Sequence, residues 1–260
     1  MKFSIITIVR NDKENIEKTI LSVLNQKVML EYIIIDGCST DGTLKIIEQY
    51  KNKIDVLISE PDDGIVDAFN KGLKLVTGEI IGITNSGDFL EENALHHVRD
   101  TFDDATEIVY GDVQYWKNDV KDYQYKADHR YLDKFMSINH PSVFVKKSVY
   151  HRYGFFDKQY PLAMDYELML RFYRNGVHFK YINHVLSNMS LGGVSDINWE
   201  KAYREAYIIR KKYFGCSLSL YLNYLLQYNK RHISNIISRL GLGIIKNYYR
   251  EKFSLIKKYK

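Results

Sequence analysis

The sequence predicts an α/β fold: a mostly parallel sheet flanked by helices, with a helical C-terminal extension. Three observations carry this. Short, β-branched, apolar runs recur through the first hundred residues, as strands buried on both faces require. Segments with apolar residues at helical spacing lie between them, and that alternation builds βαβ units. Each run ends in polar residues, and ligands of parallel sheets bind beyond the carboxyl ends of the strands.

Phe3–Val9 (FSIITIV) reads as the first strand. Asn11-Asp12 can cap the helix that carries Ile16, Ile20, Val23 and Leu24 on one face. Tyr32–Asp36 (YIIID) is the second strand, followed by a turn and cap at Ser39–Gly42 and a helix marked by Leu44, Ile46 and Ile47. Ile54–Ser59, Gly64–Val76 and Ile80–Thr84 (IIGIT) continue as strand, helix and strand. Right-handed crossovers put helices on both faces. The strand ends at Arg10-Asn11, Asp36, Asp62-Asp63 and Asn85-Ser86-Gly87-Asp88 are therefore expected to share one crevice.

The second half is more mixed. Strands are expected at Glu107–Trp116, Tyr123–Lys126, Ser142–Val145 and His178–Ile182. Lys146–Tyr153 and Asp165–Arg174 have helical patterns, with Gly176 as the stop after the second. From Trp199 the chain reads as helix to its end.

A chain of 260 residues with 45% hydrophobic content and only 3 prolines excludes disordered, collagenous and low-complexity classes. Two cysteines, Cys38 and Cys216, exclude a disulfide scaffold and point to a reducing compartment. The apolar stretch in Met1–Arg10 is too short for a signal peptide, and no run of about 20 apolar residues offers a spanning helix. A cytoplasmic location is expected.

Asp36, at a strand end, can accept from a nucleobase N–H or a ribose hydroxyl; equally, it can cap the following turn. Asp88 offers hard oxygens to Mg²⁺ or Mn²⁺, and Gly87 lets the backbone approach a ligand. The structural alternative is Asp88 as cap of a Glu91–Phe102 helix. Asp165 is a candidate general base; the alternative is a first-turn acid on the helix dipole. His140, before Pro141, is a weaker candidate. Gly192-Gly193-Val194-Ser195 suits a lid over a diphosphate, or an ordinary turn.

Three blocks, SIITIVRNDKENIEKTILSVLNQ, YIIIDGCSTDGT and SEPDDGIVDAFNKGLKLVTGEIIGITNSGDFL, in this order and spacing, resemble the nucleotide-sugar-binding half of family 2 glycosyltransferases. INHPSVFVKKSVYHRYGFFD and MDYELMLRF resemble the acceptor half. The resemblance covers about residues 3–195. It implies a Rossmann-like GT-A domain over residues 1–200, divided at residue 100 into donor and acceptor halves. It implies inverting transfer of a sugar, most often from a UDP-sugar, to a glycan or lipid-linked glycan in bacterial O-antigen, capsule or exopolysaccharide synthesis. Thr7, Val9, Arg10 and Asn11 resemble the segment against the nucleobase, and Asp36 the carboxylate for uracil or ribose. Asp63, Gly64 and Asn70 resemble the segment flanking the nucleotide sugar. Asn85, Ser86, Gly87 and Asp88 stand at the DxD region, with Asp88 the metal ligand for Mn²⁺ or Mg²⁺. Asp165 matches the base, and Met164, His140, Gly193 and Ser195 fall on the acceptor side or the lid. The DxD region here keeps one carboxylate, and Met164 replaces the first acid of the ED-type motif.

Two rivals stand beside this. A sugar nucleotidyltransferase would carry a Gly-rich basic loop after the first strand, where this chain has Arg10-Asn11-Asp12-Lys13-Glu14. A catalytically degenerate nucleotide-sugar or glycan binder would tolerate the thinned DxD region; retention of Asp36, Asp88 and Asp165 argues against it.

Residues 201–260 hold 14 Lys and Arg against 2 Asp and Glu, a net +12 that leaves −7 for residues 1–200 of the overall +5. Ile233, Ile236, Ile237, Leu240 and Ile244 fall at helical spacing among Lys230, Arg231, Arg239, Lys246 and Arg250. An interfacial helix on an anionic membrane, at the inner face of the plasma membrane, is one expectation for residues 230–260. A helix packed on the body is the other. No recognised nucleic-acid motif accompanies the basic residues, so a nucleic-acid partner is not expected.

Overall fold

The computed structural model describes residues 1–117, 120–190 and 197–239. Strand β1 (Phe3–Val9) is buried along its whole length. It pairs in parallel with β2 (Leu30–Asp36) on one side and β4 (Ile80–Ile83) on the other. Beyond β2, β3 (Val56–Ser59) is parallel as well. Helices α1 (Ile16–Leu24), α2 (Thr43–Gln49) and α3 (Ile65–Leu75) lie between these strands in sequence.

Side chains alternate across a strand, so β1 feeds two cores. Phe3, Ile5 and Val9 share one with Ile16, Ile20 and Val23 of α1. Ile6 and Ile8 share the other with Val66, Phe69 and Leu73 of α3. Each fully buried Ile or Phe contributes about 1.5–3 kcal/mol, which fixes the register of the parallel strands and so places their carboxyl ends together.

At β4 the pairing turns antiparallel, to β8 (Val143–Lys146), and β8 is antiparallel to β6 (Ile108–Lys117). Strand β9 (Phe179–Ser190) runs parallel to β6 and pairs at its end with the two-residue β5 (Phe89–Leu90). The order is β3-β2-β1-β4-β8-β6-β9-β5, and β7 (Val120–Tyr125) folds back on the second half of β6. The sheet is thus parallel through the first half and mixed through the second. Helix α4 (Ala94–Thr101) joins the core on the α1 side, while α5 (Lys147–Tyr153) and α6 (Met164–Arg174) join the core on the α3 side.

Strand β9 continues well past Ile182, where the apolar pattern stops, and β5 has no pattern at all. The reason is polar: Ser187 and Asn188 are fully buried. Asn188 donates to Glu91 Oε1 at 3.0 Å and accepts from Trp116 Nε1 at 2.6 Å. Satisfied polar groups make an interior strand that hydropathy does not reveal.

The helical extension is described as far as Arg239, in α7 (Trp199–Phe214) and α8 (Leu218–Arg239). Ile209 of α7 is fully buried in the body's core, and Tyr213 donates to Glu167 of α6 at 2.7 Å. Packing is therefore continuous across the composition shift near residue 200. Helix α8 rests on α7 through rings, with Trp199 against Tyr228 at 5.1 Å and Tyr207 against Tyr224 at 4.8 Å.

Candidate active site

The carboxyl ends of β1, β2 and β3 close on one another. Gly37 N donates to Val9 O at 2.9 Å. A Cβ on Gly37 would stand 2.8 Å from Asp62 Oδ2 and 3.4 Å from Cδ of Arg10, so any larger residue there would have to push the Asp62 carboxylate aside. The carboxylate of Asp36 is fully buried and accepts from Ser39 N at 3.2 Å and Ser59 Oγ at 2.6 Å. It does cap its own turn, and in doing so it binds the end of β2 to the end of β3. Asn11, in the left-handed region at φ +52°, accepts from Thr40 N, and its own N–H donates to Ser39 Oγ, both at 2.8 Å. Arg10, Asn11 and Asp36 therefore meet where the strand ends close, with Arg10 and Asn11 exposed and Asp36 buried beneath them.

The loop after β4 lies beside them. Thr84 N donates to Ile6 O and Ser86 N to Ile8 O, extending the ladder beyond β4. Gly87 then takes φ +89°, which an L side chain rarely adopts, and Asp88 folds back with its N–H on Asn85 O at 3.0 Å. Helix α4 begins at Ala94 behind Asn93, so Asp88 is not its cap.

Asp88 is buried. Burial pushes its carboxyl up, the Asn85 amide pulls it down and the nearby Asp12 charge pushes it up again, to about 8. Asn85 Nδ2 donates to Asp88 Oδ2 at 3.3 Å, while Asn85 Oδ1 is buried without a partner. Ser86 Oγ donates to Asp12 Oδ2 at 2.6 Å. A carboxylate and an orphaned amide oxygen are hard donors that fit Mg²⁺ or Mn²⁺, which bind through one or two carboxylates plus phosphate oxygens. No group of three or more His, Cys, Asp or Glu that could hold a metal occurs among the described residues. Most of the coordination sphere would thus come from water and ligand.

Asp165 is the second residue of α6 and half-buried; burial raises its carboxyl above the usual range, against the pull of Tyr166 N, which donates to it at 2.8 Å. The loop before it is held by a residue that no local pattern singles out. Glu205, on α7, accepts from Leu162 N at 2.8 Å and Ala163 N at 2.9 Å. Asp63 and Gly64 lie on the exposed rim before α3, where Lys158 approaches Asp63 at 3.5 Å and Asp67 at 2.9 Å.

The side chains of five expected site residues are buried in the core or held by other backbone. Thr7 is fully buried and its hydroxyl meets the Tyr32 phenol at 3.0 Å; Val9 is in the same core. Both are on the α1 side of β1, a choice of face that a strand buried on both sides does not reveal. Asn70 spends its amide on the backbone of Phe156, donating at 3.0 Å and accepting at 3.1 Å, and so joins α3 to the second half. His140 is buried against Phe69 and Phe156, and burial lowers its imidazole to about 4, so it stays neutral. Met164 is a core side chain in the same cluster. Gly193 and Ser195 lie outside the described residues.

The sequence model of glycosyl transferase family 2 matches residues 4–178. The chain belongs to glycosyl transferase family 2. The matched region contains the residues described above from Arg10 to Asp165. Among curated relatives, chondroitin synthase of Escherichia coli is 32% identical over 70% of this chain and 28% of its own length. The poly(ribitol-phosphate) β-N-acetylglucosaminyltransferase TarS of Staphylococcus aureus is 33% identical over 36% of this chain and 18% of its own length. The chain thus spans only a minor part of these longer proteins. In solved structures, TarS 1–349 in complex with UDP-GlcNAc superposes with a TM-score of 0.66 at 19% identity, covering 98% of this chain and 77% of that one. The mannosyltransferase PcManGT of Pyrobaculum calidifontis, in complex with GDP-Man and Mn²⁺, gives 0.63 at 17%, covering 97% and 76%. The fold of this family 2 chain is GT-A.

Proposed function

We propose that this chain is an inverting glycosyltransferase that moves a sugar from a UDP-sugar to a hydroxyl of a glycan or lipid-linked glycan in bacterial surface-polysaccharide synthesis. The observation that carries the reading is the loop Asn85–Asp88, with its buried carboxylate and unpartnered amide oxygen at the end of β4. The TarS complex holds UDP-GlcNAc, which supports UDP as the nucleotide to test first.

In this reading Arg10, Asn11 and Asp36 form the wall for the nucleoside, and Asp63 and Gly64 the rim along the sugar. Asp88 and the Asn85 oxygen would hold a divalent cation, which when bound neutralises diphosphate charge on the leaving group. Asp165 takes the proton of the acceptor hydroxyl while that oxygen bonds to the anomeric carbon from the face opposite the diphosphate. The sugar–phosphate bond breaks with its electron pair leaving on UDP. A carboxyl raised by burial is better matched to this proton transfer at neutral pH than an ordinary one.

The test is a panel of UDP-, GDP- and dTDP-sugars, with and without Mn²⁺, read by thermal shift and by nucleotide release. Metal-dependent stabilisation by one UDP-sugar, with turnover, is expected. Stabilisation without turnover toward any acceptor or water makes the chain a degenerate binder. No response in the folded protein overturns the donor site itself.

We propose an anionic membrane surface as a second partner, through residues 230–260. Leu218, Leu222, Leu226, Ile233 and Ile236 form an exposed apolar row along α8, and the exposed Lys230 lies beside it. No helix of the described residues is long and apolar enough to cross a membrane, so the contact would be interfacial. Binding to vesicles of anionic lipid that is lost at high salt supports this; equal binding after removal of residues 230–260 refutes it.

A further inference from the structure

Polar side chains on α1 and just past its end face the backbone of the segment that carries Asp88. Thr19 and Ser22 stand at i and i+3 on one face of α1, and Gln26 follows two residues after its last residue, Leu24. Thr19, itself 1% exposed, accepts from Gly87 N at 3.2 Å and donates to Asp88 O at 2.7 Å. Ser22 Oγ accepts from Leu90 N at 3.1 Å. Gln26 donates to Glu91 O at 2.9 Å and accepts from Leu95 N at 3.1 Å. Three side chains thus hold backbone groups of five residues in a segment whose short strand β5 supplies little ladder of its own.

We infer that Thr19 is the positioning residue of the metal-binding loop, and that Ser22 and Gln26 anchor the chain just beyond it. The inference rests on the reading of Asp88 as the metal ligand. Its ground is that one buried hydroxyl serves the amide of Gly87 and the carbonyl of Asp88, the backbone groups that bracket the Asp88 side chain along the chain. The Asn85 amide acts on the Asp88 carboxylate itself and Asp12 on the Ser86 hydroxyl; the bonds from Thr19 act on the main chain of the loop. A hydroxyl at this position can be a donor and an acceptor at once, and valine of the same shape can be neither.

The experiment compares Thr19→Val, Thr19→Ser and Gln26→Met in the full chain. Backbone amide exchange is followed at residues 85–90, and Mn²⁺ and UDP-sugar titrations give half-activation and KM. Thr19→Val is expected to speed exchange at Gly87 at least about tenfold and to raise Mn²⁺ half-activation and donor KM by a similar factor. Thr19→Ser, which keeps the hydroxyl, restores both. Gln26→Met lowers thermal stability and leaves donor KM within about twofold. Unchanged exchange at Gly87 in Thr19→Val overturns the inference, whatever the enzyme does. Faster exchange with unchanged metal and donor dependence overturns it too. Absence of nucleotide-sugar binding and turnover in the unaltered chain refutes the functional reading, while the exchange arm still decides whether Thr19 holds the loop.

Discussion

Glu205→Ala tests whether the extension is part of the catalytic unit. The carboxylate reaches across 43 residues of sequence to accept from Leu162 N and Ala163 N, just ahead of Asp165. Hydrogen bonds to a charged group contribute about 1.5–3 kcal/mol each. Both bonds here end on the same oxygen, so the sum is less than additive, and a loss of about 3 kcal/mol is expected. For a chain of this size that lowers Tm by about 6–12 °C. Release of the loop also lets Asp165 shift, and misplacement of a reacting group by about 1 Å can cost 10²-fold. We expect kcat to fall at least about tenfold, with donor KM within about twofold because Asn85 and Asp88 are untouched. Glu205→Gln, which keeps an acceptor oxygen, should lose about half the stability. Calorimetry and a UDP-release assay give both quantities. An unchanged Tm with full kcat refutes the reasoning, and so does a loss of donor binding equal to the loss of turnover.

Asp165→Asn should lower turnover by about 10² or more while UDP binding is retained, measured by steady-state kinetics beside calorimetric titration. Removing divalent cations with a chelator should abolish turnover, and Mn²⁺ or Mg²⁺ should restore it; full activity after chelation contradicts the assignment of Asp88. Gly87→Ala should cost about 1–2 kcal/mol through its backbone conformation, since the nearest atom to a Cβ there is Asp12 Oδ2 at an unstrained 3.7 Å. The expected readouts are a lower Tm and a raised donor KM. For Glu31, burial raises the carboxyl, but bonds from Ser4 Oγ, Thr77 N and Thr77 Oγ1 and the charge of Lys2 outweigh it, leaving it at about 2 instead of 4.5. A depressed pKa stabilises the fold fully above about 4.5, and the contribution, about 3 kcal/mol, is lost as pH falls toward 2. Denaturation curves between pH 6 and 2 should be flatter for Glu31→Gln.

The parallel half was legible because its strands are apolar on both faces, so each reads without knowledge of its neighbours. That same uniformity concealed which side of β1 Thr7 occupies, and the structure gives it to Tyr32. Strand β9 was only begun by its apolar pattern, since Ser187 and Asn188 are interior through partners that lie far off in sequence. Asp88 and Asp165 were legible as acids at the end of a strand and the start of a helix. Glu205 and Thr19 were not, because what each holds is a backbone group in another element, which no local pattern records. Asn70 and His140 were polar residues in recognisable segments, but Phe156 meets both and makes them part of a wall.

The loop Asn85–Asp88 stands between two seams of one sheet. On one side β4 pairs with β8, and on the other Phe89 and Leu90 pair with Asn188 and Ser187 of β9. Opening the two halves as a pair of jaws would break both ladders at once. Any rearrangement that admits donor and then acceptor is therefore confined to connecting loops at the strand ends. The main chain on either side of Asp88 is thereby clamped by the sheet, so that carboxylate is a fixed post to which a substrate must come.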